Sequence, residues 1–230
     1  MAIAEHLFDD PSTLTAALAD RVGQALEAAV TARGKASLVV SGGRTPRPLF
    51  ENLAARSLPW SKIWITLADE RWVEMDSPDS NERLVREALL QGPASAAHFV
   101  PLKNSAAGPQ EGAAECHAAL AALPWPLDVL LLGMGADGHT ASLFPGVAGA
   151  ALDPACPDRC RGVFPNTAPH PRISLTASAL LNSRVAILHF TGEDKLSVFR
   201  EAQDDGPVDA LPVRVVLQQA KVPVELWWSP

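Results

Sequence analysis

One stretch of the chain concentrates groups that can do chemistry. Gly133-Met134-Gly135-Ala136-Asp137-Gly138-His139-Thr140-Ala141-Ser142-Leu143-Phe144-Pro145 comes directly after the apolar run Val129-Leu130-Leu131-Leu132. Three glycines between a buried strand and a histidine describe a backbone shaped around a ligand, with an imidazole presented beside it. Asp137 stands close enough to orient or polarise the ring, and an unperturbed imidazole pKa of about 6.5 suits a general base at neutral pH. A lone histidine is more often structural, so it is this setting that singles out His139. The formal Gly-x-Gly-x-x-Gly at Gly133, Gly135 and Gly138 is a weak dinucleotide fingerprint, because Pro145 interrupts the region after His139 and no βαβ unit with an acidic strand end closes on it.

Three further segments put polar groups where an apolar run gives way to a helix. In Ser41-Gly42-Gly43-Arg44-Thr45-Pro46 two glycines let the backbone approach a ligand, Thr45 is placed to cap the next helix and Pro46 to open it. A helix N-terminus with free N–H groups is an anion site, although the same residues also make a plain turn and cap. No Gly-Lys-Ser/Thr comes next, so this is not a Walker loop. Asp69-Glu70-Arg71 sets two carboxylates and a guanidinium directly after an apolar strand, as a solvated turn or a polar-substrate contact would. Asn81, after Asp79-Ser80, reads first as a helix cap. In Thr191-Gly192-Glu193-Asp194-Lys195 the lysine falls in a first helical turn, where the helix dipole favours acidic groups, and an anionic ligand would account for it. Arg172 begins its strand, so it reaches the same end of a sheet only if that strand runs antiparallel to the rest.

Such groups need a scaffold that gathers distant strand ends. Leu14, Ala17, Leu18, Val22, Ala25, Leu26 and Ala29 recur at spacings of three and four, which predicts an amphipathic helix over 12–33 stopped by Gly34. Ser37-Leu38-Val39-Val40 reads as a buried strand. Beyond it the pattern predicts helix 46–56, strand 62–68, helix 81–90, a short strand 98–101, helix 109–123 and strand 127–133. After a long loop come strands 172–176 and 184–190, helix 193–203, a short helix 211–219 and a last strand 223–228. Strands separated by helices imply an α/β fold: a mostly parallel, open, Rossmann-like sheet with helices on both faces, in which 172–176 is allowed as an antiparallel edge strand. Ligands bind such sheets outside the carboxyl ends of the strands, where these polar segments fall. Residues 1–230 read as one domain, and 145–171, rich in Pro, Gly and Cys and without periodicity, as a lid, loop or small subdomain.

Composition removes other classes. The 230 residues suffice for a sizeable core, and 47% hydrophobic with 20% charged is ordinary globular usage, unlike disordered, collagen-like or coiled-coil chains. A net charge of −7 argues against a nucleic-acid partner. Met1-Ala2-Ile3-Ala4-Glu5-His6 lacks the basic and apolar parts of a signal peptide, and the longest apolar stretch, 118–135, is broken by Pro124, Pro126 and Asp128, so neither export nor a membrane partner is expected. Three cysteines form no disulfide framework, which suits a cytoplasmic protein. Cys156 and Cys160 would make half a metal clip, but no second ligand pair accompanies them. They read as surface-loop thiols, and no metal site is expected.

Taken in order, these segments resemble the 6-phosphogluconolactonases of the pentose phosphate pathway, within the superfamily that also holds the glucosamine-6-phosphate isomerase/deaminases. Ser41-Gly42-Gly43-x-Thr45-Pro46, Asp69-Glu70-Arg71, Ser80-Asn81, the block from Gly133 to Pro145 and Pro171-Arg172-Ile173-Ser174-Leu175-Thr176 carry the resemblance, which spans nearly the whole chain. The glycine loop at 41–46 is shared with the deaminases; Asp137-Gly138-His139-Thr140-Ala141-Ser142-Leu143-Phe144-Pro145 is specific to the lactonases. The resemblance implies hydrolysis of 6-phospho-D-glucono-1,5-lactone, a sugar-phosphate substrate, without metal or organic cofactor. It implies His139 as base with Asp137 as its orienter. Ser41, Gly42, Gly43, Arg172 and Lys195 are then expected to bind substrate, the last four at its phosphate, and Asp69, Arg71 and Asn81 to face the sugar ring or carbonyl. The deaminases carry a glutamate five residues after the shared histidine; here that position is Phe144, which cannot transfer a proton. A non-catalytic sugar-phosphate sensor is the reading outside enzymology, and no appended DNA-binding motif supports it.

Overall fold

The computed structural model describes residues 3–230. In the first half of the chain the elements are β1 (Ala4–Leu7), α1 (Pro11–Arg33), β2 (Ala36–Val40), α2 (Arg47–Ala54), β3 (Ile63–Leu67), β4 (Asp69–Arg71), α3 (Asn81–Ala88), β5 (His98–Val100) and α4 (Pro109–Ala119). The second half adds β6 (Val129–Leu132), β7 (Cys160–Val163), β8 (Arg172–Leu175), α5 (Ala177–Leu180), β9 (Ala186–Thr191), α6 (Glu193–Gln203), α7 (Arg214–Leu217) and β10 (Val224–Ser229).

Helix α1 shows how closely local chemistry sets the boundaries. Asp10 accepts hydrogen bonds from the N–H groups of Ser12 and Thr13, both at 2.9 Å, and Gly34 closes the helix at a φ of 76° that a side chain would resist. The predicted stripe of Leu14, Leu18, Val22 and Leu26 is fully buried.

Seven strands form one sheet in the order β1-β10-β9-β6-β2-β3-β5, and every pairing in it is parallel. β2 and β6 are buried at every position, which requires cover on both faces. Their apolar side chains, those of α1 and Phe199 of α6 belong to one contiguous core. Among the described residues no helix is long and apolar enough to cross a membrane.

The strand that begins at Arg172 is antiparallel, but it is not an edge of the large sheet. β8 is the middle strand of a second, three-stranded sheet ordered β4-β8-β7, antiparallel throughout. Two of its strands, β4 and β7, fall where the sequence reads as a charged turn and as loop. Segment 145–171 therefore contains a strand, together with a short 3₁₀ turn at Gly149–Leu152. The cysteines are also corrected: Cys156 and Cys160 are buried, not surface thiols, and Cys160 lies within β7. Strand β1 and helix α5 are absent from the pattern-based expectation. α4 stops at Ala119, four residues short, and continues as a 3₁₀ turn.

Candidate active site

The carboxyl ends of β2, β6 and β9 and one face of the small sheet enclose a cavity of about 290 Å³. Every predicted site residue except the orienting Asp137 lines it: Ser41, Gly42 and Gly43 after β2, Asp69, Arg71 and Arg172 from the small sheet, Asn81 of α3, His139 after β6, and Lys195 of α6.

His139 is held by its own loop. Asp137 Oδ1 lies 2.5 Å from His139 Nδ1 and also accepts the His139 backbone N–H at 3.1 Å. This hydrogen bond holds the Asp137 carboxyl below its usual pKa. With Nδ1–H directed at a carboxylate, the lone pair of the ring is on Nε2, which has no protein partner among the described residues. The loop cannot carry larger residues: a Cβ on Gly135 would overlap the imidazole, and Gly138 sits at a φ of 76°. The ring also stacks on Phe144 with centroids 4.3 Å apart, while the Arg172 guanidinium lies over the same phenyl ring at 5.2 Å. Phe144 thus contacts both the imidazole and the cation.

In the small sheet the two-residue period of a strand sorts Asp69-Glu70-Arg71. Asp69 and Arg71 face the cavity, and Glu70 points the other way into the N-terminus of α3. There it accepts the N–H groups of Arg71 (2.7 Å), Asn81 (2.8 Å) and Glu82 (2.7 Å) and the Ser80 hydroxyl (3.2 Å). Burial pushes the Glu70 carboxyl up to about 7, against the downward pull of those N–H donors. Its position fixes α3, and with it Asn81.

Arg71 and Arg172 are directly opposed across β4 and β8. Like charges so placed destabilise a sheet by roughly 0.2–1 kcal/mol, and the compensation is partial. Arg172 Nη1 is 3.7 Å from Asp69 Oδ2 and 3.5 Å from Ser142 Oγ, and its Nε is buried without a partner. Burial holds its pKa below the ordinary arginine value. Arg71 gives one N–H to the Asp79 carbonyl at 2.6 Å, and its Nε is likewise unpartnered. Two guanidiniums with spare donors face one cavity, an arrangement that suits anionic oxygen.

The two predicted caps shift by one residue. Pro46 occupies the N-cap position of α2 and no side chain caps that helix, so Thr45 does not play the expected part. Ser80 caps α3 by accepting the Arg83 N–H at 3.1 Å, which frees Asn81 to donate to the Asp69 carbonyl at 2.9 Å. A Cβ on Gly42 would overlap the Asn81 carboxamide, so the glycine permits this close approach. Ser41 lines the cavity, and its hydroxyl accepts the Gly133 N–H at 3.3 Å, tying two glycine loops together. Lys195 has neither an ion pair nor a hydrogen bond among the described residues, and partial burial lowers its pKa. The described residues contain no group of three or more His, Cys, Asp or Glu side chains placed to hold a metal ion.

The family model for "Glucosamine-6-phosphate isomerases/6-phosphogluconolactonase" matches residues 9–228. The chain belongs to this family. A 6-phosphogluconolactonase of Rhizobium meliloti is 43% identical over 232 residues, with all of both chains covered. One from Mesorhizobium japonicum is 46% identical, covering 98% of this chain and 94% of its own. A crystal structure of a 6-phosphogluconolactonase from Shewanella baltica OS155 superposes with a TM-score of 0.97 at 51% identity, covering 100% of this chain and 98% of that one.

Three polar side chains in this family member's cavity are missing from the sequence-based set: Thr45, read only as a helix cap, Arg44 and His189. Arg44, exposed at the mouth, lies inside the quoted glycine motif but reads there as a variable position. His189 is buried in β9, and the apolar run around it, Ala186-Ile187-Leu188-His189-Phe190, conceals it as an ordinary strand residue. The visible signal is a histidine near the carboxyl end of a central strand.

Proposed function

We propose that this protein hydrolyses 6-phospho-D-glucono-1,5-lactone to 6-phospho-D-gluconate, the lactonase step of the oxidative pentose phosphate pathway. The observation that carries the reading is His139, which lines the cavity with Nε2 unpartnered among the described residues, and Phe144 where a deaminase would need a carboxylate. The name shared by the close relatives supports it.

In this mechanism His139 Nε2 takes a proton from water as the water oxygen attacks the lactone carbonyl. The charge that develops on the carbonyl oxygen is stabilised by N–H donors, for which Arg71 and Asn81 stand nearest the small sheet, and Asp69 orients the sugar hydroxyls. The tetrahedral intermediate expels the ring oxygen, which receives the proton from the imidazolium. Asp137 keeps the ring in the productive tautomer and stabilises its cationic form. Gly42, Gly43, Arg172 and Lys195 anchor the phosphate. A lactone is an activated ester, so these steps call on neither metal nor organic cofactor. The single core supports one sugar-phosphate domain, and three buried free thiols suit a reducing cytoplasm.

The test is the hydrolysis rate of freshly prepared phosphogluconolactone, above its spontaneous background, alongside ammonia release from glucosamine 6-phosphate. Fast hydrolysis without ammonia is expected; ammonia at a comparable rate overturns the assignment.

A further inference from the structure

The cavity wall formed by β9 holds a polar group that the lactonase mechanism leaves unused. His189 is 6% exposed, yet among the described residues neither ring nitrogen has a protein hydrogen-bond partner, and the side chain lines the cavity. Its position is set by the sheet register. Leu188 pairs with Leu132 at the last residue of β6, so His189 stands one step further, abreast of Gly133, where the backbone turns away and open space begins. On the other side its register partner is Trp227 of β10.

Neither ring nitrogen is sealed off from solvent, so both are open to the cavity the side chain lines rather than orphaned in the core. A ligand that enters the cavity can supply the missing partner. The charged group that acts on His189 is Lys195, projecting from the first turn of α6, and that helix begins at Gly192 with no capping side chain. Burial first, and the neighbouring ammonium second, push the imidazole down to about 4, so at neutral pH the ring is uncharged. It then offers one N–H donor beside a cation without adding a second positive charge for that cation to repel.

We propose that His189 is a further substrate contact, donating its ring N–H to the same phosphate group that Lys195 anchors. This rests on the reading of Lys195 as a phosphate anchor. The ligand is a phosphate monoester, and the pair of contacts is one neutral donor and one ammonium.

Hydrolysis of the phosphorylated and the unphosphorylated lactone by Lys195→Ala and His189→Phe separates the two claims. For His189→Phe, KM for the phosphorylated lactone should rise about tenfold with kcat little changed, the size expected for one hydrogen bond to a charged acceptor, and the unphosphorylated lactone should be unaffected. Either His189→Gln or His189→Asn, whichever places its amide N–H nearer the lost donor, should recover most of that loss. The Ki of inorganic phosphate as a competitive inhibitor should rise in parallel in Lys195→Ala and His189→Phe. A phosphate-dependent loss in Lys195→Ala, with His189→Phe losing nothing or losing equally on both lactones, overturns the His189 contact alone. Equal losses on both lactones in Lys195→Ala remove the phosphate anchor itself. A readout that needs no variant is the His189 ring N–H in the NMR spectrum of the unaltered protein: it should move downfield and become protected from exchange when inorganic phosphate saturates the site, and an unchanged resonance overturns the proposal.

Discussion

From the seven-stranded sheet the cavity receives two glycine loops, the His139 imidazole and Lys195, all carried on segments that come after strand ends; from the three-stranded sheet it receives Asp69, Arg71 and Arg172, all within strands. Parallel strands deliver their carboxyl ends to one side of a sheet as a matter of topology, so loops meet there without further arrangement. Charged side chains of like sign do not gather so readily. Arg71 and Arg172 are held opposite each other by antiparallel pairing, with Asp69 alongside and Glu70 clamping the start of α3 from the back. In the proposed mechanism the large sheet supplies the base on a shaped backbone, and the small sheet supplies a fixed field of charge.

If the two sheets divide the labour in this way, damage to each should have a different kinetic signature. The largest effect belongs to the parallel sheet: His139→Ala should lower kcat by about 10²–10⁴-fold on both lactones while thermal unfolding stays close to that of the parent protein, since general base catalysis contributes about that much. An unchanged rate in the folded variant would break the assignment.

Next comes the small sheet. Arg172→Ala should lower kcat/KM for the phosphorylated lactone by roughly 10- to 100-fold, through KM, because a charge-assisted hydrogen bond is worth about 1.5–3 kcal/mol. The unphosphorylated lactone should lose far less. A fall in kcat on both substrates would instead place Arg172 at the carbonyl and make the two sheets partners in the chemical step.

Glu70→Gln tests the clamp, which never touches the cavity. The carboxamide sets an NH₂ among backbone N–H donors that need an acceptor, so unfolding in urea should reveal a loss of about 1–3 kcal/mol. The accompanying fall in kcat/KM should be only a few-fold, and a stability equal to that of the parent would show that α3 is positioned without it. The smallest effect expected is none: exhaustive chelation with EDTA should leave the rate unchanged, since the described residues of neither sheet bring a metal-ligand set together. Activity lost to chelation and restored by a divalent ion would require a third element in the comparison.

The contrast between the sheets also explains what could be read from the residues. β2, β3, β6, β9 and β10 are apolar runs between periodic helices, and a fully buried parallel strand has that appearance. The glycine loops and His139 come directly after such runs and are legible for that reason. Of the small sheet only β8 is legible, because β4 spans three residues and β7 four, and β4 pairs with a strand far along the chain. Asp69-Glu70-Arg71 is too short to display an alternation, so its split into cavity-facing and helix-facing residues appears only in three dimensions. Arg172 shows the limit well: its need for an antiparallel strand comes from its place at a strand start, but whether that strand edges one sheet or centres another is not a local property. His189 escapes notice for the opposite reason, lying inside a run so apolar that one polar residue does not change its character.

Strand β1 has a single hydrogen-bonded neighbour among the described residues, and that neighbour is β10, near the other end of the chain. While the polypeptide leaves the ribosome, Ala4–Leu7 therefore waits unpaired until β10 has emerged more than two hundred residues later. An unpaired strand edge in a nascent protein invites pairing with a foreign chain. Its residues, Ala4-Glu5-His6-Leu7, carry a carboxylate and an imidazole and only one large apolar side chain, so the segment that waits longest gives a stranger little to hold.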